Sequence, residues 1–222
     1  MAATAPSPRT AVRRLPERAA YDRETIHAIL DEGLVCHVGF AAAEQPFVIP
    51  CVYGRIDERL YLHGSSGSRM LRALSDGAAV CVTVTLIDGL VLARSAFHHS
   101  MNYRSVVVLG TASPVTDAEE RLAALRAIVE HVVPGRWRGA RRPSARELAQ
   151  TQVVSLPLDE ASAKVRTGPP KDEEADLELP VWAGELPLRI AAGAPRPDPS
   201  LRGGLAPPAY ALHYARPCRE GG

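Results

Sequence analysis

The chain has 222 residues, a hydrophobic content of 46% and a formal charge of +1 from 26 basic and 25 acidic residues. That length suits one domain with appendages, and the composition supports a packed core. The charge balance excludes the basic excess of a general nucleic-acid binder, and no run of about 18 apolar residues is present to span a membrane.

The N-terminal stretch MAATAPSPRTAVRRLPERAAYD lacks an apolar signal core, which favours a cytoplasmic protein. Residues 1–20 read as an extended arm, 21–190 as the folded domain and 191–222 as a Pro/Gly-rich tail. Asp22 can cap a helix that carries Ile26, Ile29 and Leu30 on one face and stops at Gly33. LVCHVGF (34–40) and FVIPCVYGRI (47–56) read as paired strands. Pro50 cannot donate to a ladder, so the second belongs at an edge or a bulge. RLYLH (59–63) is a third strand, and Arg69–Ser75 a short helix ended by Gly77. AAVCVTVTLI (78–87) is a strand, Asp88-Gly89 a turn signal, and GLVLARS (89–95) its antiparallel return. YRSVVVLGTASPV (103–115) is another strand. Asp117 and Glu120 open a helix with Leu122, Leu125, Val129 and Val132 on one stripe, broken at Pro134-Gly135. A basic loop follows, RWRGARRP (136–143), then a short helix over Ser144–Gln150 and the strand TQVVSLPL (151–158). Cys36, Cys51, Cys81 and Cys218 show no CxxC or zinc-like spacing, and read as reduced thiols rather than a metal site. Short strands with few helices predict a mainly β protein, a barrel with flanking helices.

Two stretches carry chemistry. HGSSGSR (63–69) joins a strand to a helix. Its glycines and serines offer backbone N–H groups, and Arg69 adds a cation that can grip two oxygens, which together suit a phosphate; a plain strand-to-helix turn with a capping serine has the same sequence. The segment around His98, His99, Ser100, Asn102, Tyr103, Arg104 and Ser105 is crowded with hydrogen-bonding side chains. His98 and His99 are adjacent, so in a strand they point to opposite faces and cannot share a metal ion. The arginines around Trp137 read either as a grip for an anion or as a solvated loop.

HGSSGSR, followed by DGLVLARSAFHHSMNYRSVVVLG, resembles the pyridoxamine 5′-phosphate oxidase-like superfamily, in its flavin-nucleotide-binding branch related to 5-nitroimidazole resistance. The opening RRLPERAAYDRETIHAILDEG and the later PVWAGELPL fit the same group, so the resemblance covers roughly 12–190. It implies an FMN-binding split β-barrel homodimer with the flavin at the subunit interface. It also implies a flavin phosphate held by His63, Ser65, Ser68 and Arg69, and a ring lying along Val48, Ile49, Pro50, Cys51 and Val52. Arg104 and Ser105 would reach the cofactor from the paired strand. Trp182 would border the flavin or else anchor the tail.

The full basic phosphate set of true pyridoxamine phosphate oxidases is absent, reduced to Arg69 with Arg72, so vitamin B6 oxidation is not expected. The expected function is an FMN-dependent oxidoreductase acting on a small planar or nitro-aromatic substrate, with NAD(P)H as a candidate donor. His63, His98 or His99 would assist proton transfer. The alternatives are a non-catalytic flavin-binding protein and a haem-binding protein with His98 or His99 as axial ligand.

Overall fold

The structure is a computed structural model that describes residues 4–215. Cys218 and the ends of the arm and tail lie outside the described residues. In chain order the elements are β1 (Ala19–Ala20), α1 (Arg23–Glu32), β2 (Cys36–Ala42), β3 (Gln45–Cys51), β4 (Gly54–Ile56), β5 (Arg59–Ser65), α2 (Arg69–Ser75) and β6 (Ala79–Leu92). They continue with β7 (Ser100–Thr111), β8 (Ser113–Pro114), α3 (Ala118–Val132), α4 (Ala145–Gln150), β9 (Thr151–Pro157), β10 (Glu160–Arg166), β11 (Gly184–Pro187) and α5 (Ala209–Leu212). The protein is mainly antiparallel β-sheet with a few flanking helices. No helix among the described residues is long and apolar enough to cross a membrane.

Capping side chains set the helix starts. Asp22, Ser68, Asp117 and Ser144 each accept a hydrogen bond from a backbone N–H in the first turn of α1, α2, α3 and α4. At Ser144 the box is complete, because Glu147 returns a bond to the cap's own N–H. At Asp117 only half of it forms, and the Glu120 carboxylate instead accepts from the Tyr61 hydroxyl at 2.9 Å.

The chain forms two compact units. The first contains the described part of 1–33 with 83–108 and 160–190. Its strands lie in the order β1-β10-β7-β6, with β11 also paired to β6, and α1 packs against β10. The Asp88-Gly89 turn expected from the sequence does not form, and β6 runs straight through it. Gly89 has a different purpose: a Cβ there would meet Leu186 O at 3.0 Å, so the glycine lets β11 approach. The buried positions of β6 switch from even (Val80, Val82, Val84) to odd (Gly89, Val91) across this region, as one extra residue in the strand would produce. The N-terminal arm is tied down as well, with Arg9 paired to Glu160 and the Lys164 ammonium donating to Arg14 O.

The second unit contains 34–82, 109–159 and the described part of 191–222. β2 and β3 form a hairpin in which β3 is the outer strand, as Pro50 required. A second sheet has the order β4-β5-β9-β8. Tyr61, Ala124, Leu125, Ile128, Trp137 and Val153 make one buried cluster between α3 and this sheet. Each large apolar side chain buried there contributes about 1.5–3 kcal/mol. The buried stripe of α3 is Ala124, Leu125 and Ile128, whereas Leu122, expected on it, is 41% exposed. Gly54 of β4 lets the helix approach closely at Ile128, where a Cβ would lie 2.7 Å from the Ile128 nitrogen.

Candidate functional site: a recess around His63 and a groove on β6 and β7

In the second unit, β5 delivers His63 to an open recess of about 590 Å³. Val52, Ile128, Val132 and Trp137 give it apolar walls, and the exposed side chains of Arg136, Arg141 and Glu147 also line it. His63 is half-buried, and its Nδ1 is buried without a hydrogen-bond partner. Burial lowers its pKa below the usual imidazole value, so the ring is neutral at pH 7. A buried polar atom left unbonded costs about 1–3 kcal/mol.

The two arginines are used differently. Arg141 is held by both oxygens of Glu147 at 2.9 and 2.7 Å, which drops that carboxyl to about 2. Arg136 donates at 2.8 Å to the neutral Tyr210 hydroxyl. Its charge therefore stays uncancelled by that bond and suits an anionic group. Trp137 lies in the loop read either as an anion grip or as a solvated segment. It is buried, with its backbone N–H on the Glu130 carboxylate at 2.8 Å and the Arg142 guanidinium 4.6 Å from its ring centroid.

The turn after β5 differs from the phosphate cradle that the sequence suggests. The Ser66 N–H donates to Gln150 O, the Gly67 N–H to the Ser65 hydroxyl and the Ser68 N–H to Ser65 O. The Ser68 hydroxyl caps α2. Those groups are spent on the turn itself, and the glycines and serines shape it. Arg69 is the exposed group left to meet an anion, and its guanidinium lies 4.7 Å from the ring centroid of Phe47 on β3. The structure thus brings Arg69 together with the strand expected to border a flavin. On that strand Val48 is 68% exposed, Pro50 is exposed, and Ile49 and Cys51 are half-buried; Val52, just past its end, is half-buried and lines the His63 recess.

The remaining expected residues fall in the first unit. A groove of about 680 Å³ on β6 and β7 is lined by Ile87, Leu90, His99, Met101, Tyr103 and Ser105, among others. Ile87 is 50% exposed and Met101 47%. His99 borders this groove with Nδ1 3.0 Å from Ser95 O, while His98 Nε2 is 3.7 Å from a Glu173 oxygen. Ser105 donates to Lys164 O. Arg104 does not face a ligand. It is buried, and its guanidinium is held by Asp88 (2.9 and 2.7 Å) and Glu32 (2.5 and 2.9 Å). Trp182 is exposed, and its ring packs so closely on Gly184 that a Cβ there would lie at 2.9 Å.

The mainly β protein thus carries a recess with a neutral histidine in one unit and an apolar groove in the other. The sequence profile of the pyridoxamine 5′-phosphate oxidase family matches residues 22–165, and the chain belongs to that family. It is 43% identical to the flavocytochrome Anf3 from Azotobacter vinelandii, with a TM-score of 0.90 and coverage of 96% of this chain and 99% of that one. It is 35% identical to an FAD and haem binding protein from Mycobacterium smegmatis, with a TM-score of 0.83 and coverage of 87% and 95%. A candidate 5-nitroimidazole antibiotic resistance protein from Bacteroides thetaiotaomicron is 26% identical, with a TM-score of 0.56 and coverage of 66% and 86%. A comparison with curated proteins gave no match.

Proposed function

We propose that this chain is a flavin-dependent oxidoreductase that also binds haem, with His63 as an iron ligand. The observation that carries the haem assignment is the recess: a neutral imidazole, His63, on its lining beside apolar walls, and an arginine, Arg136, available for a propionate. It moves the expected haem ligand from His98 or His99, which already contact Glu173 and Ser95, to His63. The flavin part rests on family membership, on the relatives named for flavin and haem, and on β3, which exposes Val48 and Pro50 and carries Phe47 under Arg69. FAD, named for the 35%-identical relative, is the preferred flavin, with FMN as the alternative.

The two groups, when bound, would supply hydride and single-electron transfer. The chain's own residues bind and orient them. Burial keeps His63 in the neutral form that can ligate a metal. The α3 residues Ile128 and Val132 give the recess an apolar wall for a planar ring. Arg69, stacked on Phe47, is placed to neutralise a flavin phosphate, and Arg136, steadied by Tyr210, is placed to pair a carboxylate. The reading includes a cytoplasmic homodimer joined through the β6–β7 groove, with NAD(P)H as donor.

The test is the visible spectrum of the purified protein after flavin and haem loading. Flavin absorption and a Soret band are expected, and His63→Ala should abolish the Soret band and leave the flavin. The mass of the released flavin separates FAD from FMN. Arg69→Ala should weaken flavin binding about tenfold, the ~1.4 kcal/mol of one charge-assisted contact. A protein that takes up neither group overturns the reading. A second reading keeps a nitro-aromatic as the electron acceptor, favoured by the 26%-identical relative. NAD(P)H-dependent loss of a nitro compound supports it, and holoprotein without turnover leaves a non-catalytic carrier.

A further inference from the structure

We infer that Cys36 and Cys51 form a dithiol site that closes reversibly into a disulfide between β2 and β3, with a peroxide as the oxidant. The two residues are directly opposed in the strand register. Opposed residues of an antiparallel pair have Cα atoms about 4.5–5.5 Å apart, inside the roughly 4.4–6.8 Å range of disulfides. Here the two Sγ atoms lie 3.7 Å apart, so closure asks only for a change of side-chain rotation. Both thiols are free in the structure.

The two sulfurs have unequal roles. Cys36 is fully buried, while Cys51 is half-buried on the outer strand, so an oxidant in solution reaches Cys51 first. Cys36 Sγ lies within hydrogen-bonding distance of both Cys51 O (3.5 Å) and Cys51 Sγ (3.7 Å). Its thiol proton favours the Cys51 thiolate, which lowers the pKa of Cys51, while the same bond and burial raise that of Cys36. The thiolate is the nucleophile. It attacks one oxygen of hydrogen peroxide, the O–O bond breaks, and the departing hydroxide takes a proton to leave as water. Cys51 becomes a sulfenic acid. Cys36 sulfur then attacks the sulfenic sulfur, its proton joins the departing hydroxyl as a second water, and the S–S bond forms. Two thiols lose two electrons, and one peroxide is reduced to two waters.

The experiment treats the reduced, folded full-length protein with one equivalent of hydrogen peroxide, then alkylates it and maps its peptides. Two alkylatable thiols should disappear, the peptides carrying residues 36 and 51 should be linked, and dithiothreitol should restore both. In Cys36→Ser, Cys51 should stop at a dimedone-reactive sulfenic acid. In Cys51→Ser, peroxide should leave Cys36 unmodified. The inference fails if both cysteines of the wild-type protein remain alkylatable after peroxide. It also fails if Cys51 is oxidised there without becoming linked to Cys36.

Discussion

Arg104 carries one positive charge against two carboxylates, and all three side chains are largely withdrawn from water. Removing the arginine would leave Glu32 and Asp88 close together, each without this countercharge. Breaking a buried ion pair from one side costs about 3–5 kcal/mol. Arg104→Met should therefore lower stability to urea by about that much, and adding Glu32→Gln and Asp88→Asn should recover much of it. Tyr61 offers a test with a defined sign. Burial and the Glu120 carboxylate push its phenol up to about 12, from about 10 in an unfolded chain. Above pH 10 the unfolded state gives up that proton first, so stability present below pH 10 is lost as pH rises to 12. Wild-type protein should lose more stability than Tyr61→Phe between pH 9.5 and 11.5, measured as the difference in urea midpoint.

The β2–β3 hairpin turns on Ala43 and Glu44, both at positive φ (48° and 63°). Two such residues make the turn whose twist suits a hairpin, but Asn-Gly fills it with far less strain. Glu44→Gly should raise stability by about 1 kcal/mol in chemical denaturation, since the glycine relieves a left-handed conformation. The seat of α3 predicts the opposite sign: Gly54→Ala must push the helix backbone and should cost about 1–3 kcal/mol. The tail, which looked patternless, docks at one point. Tyr210 packs on Gly135 and Gly139, a Cβ at Gly139 would lie 2.8 Å from its hydroxyl, and Tyr214 donates to Val132 O. The helix starts were legible because capping is local: a side chain bonds an N–H two or three residues on. β10 was not legible, because its buried residues Ala161, Ser162 and Ala163 are small and show no alternation. Asp88-Gly89 misled for a related reason: a glycine has the same appearance whether the chain turns there or another strand passes close by.

At the scale of the molecule, the family and the β architecture were legible because short alternating runs and the HHSMNYRSVVVLG block are contiguous. The recess was not, since its walls come from Val52 after β3, from β5, α3, the loop after it, α4 and the start of β9, and an apolar helical stripe reads the same whether it faces core or cavity. His63 could be singled out by its place at the end of a strand-like run and by the resemblance of the HGSSGSR turn, but neither shows the walls around it. The remaining question is what covers the β6–β7 face, where Ile87 and Met101 stay half-exposed beside Tyr103 in a groove with few polar groups. A second copy of the chain, related by a two-fold axis, would bury the same patch on both subunits. Ile87→Asp with Met101→Asp then places two carboxylates per subunit in a desolvated interface without partners, a penalty of several kcal/mol. The wild-type protein should sediment at twice the chain mass, and the double variant at the chain mass with its far-ultraviolet circular dichroism unchanged. The dissociation constant should rise by at least about a hundredfold, equivalent to ~2.7 kcal/mol. A monomeric wild-type protein, or a double variant that still pairs, would assign this face to another use.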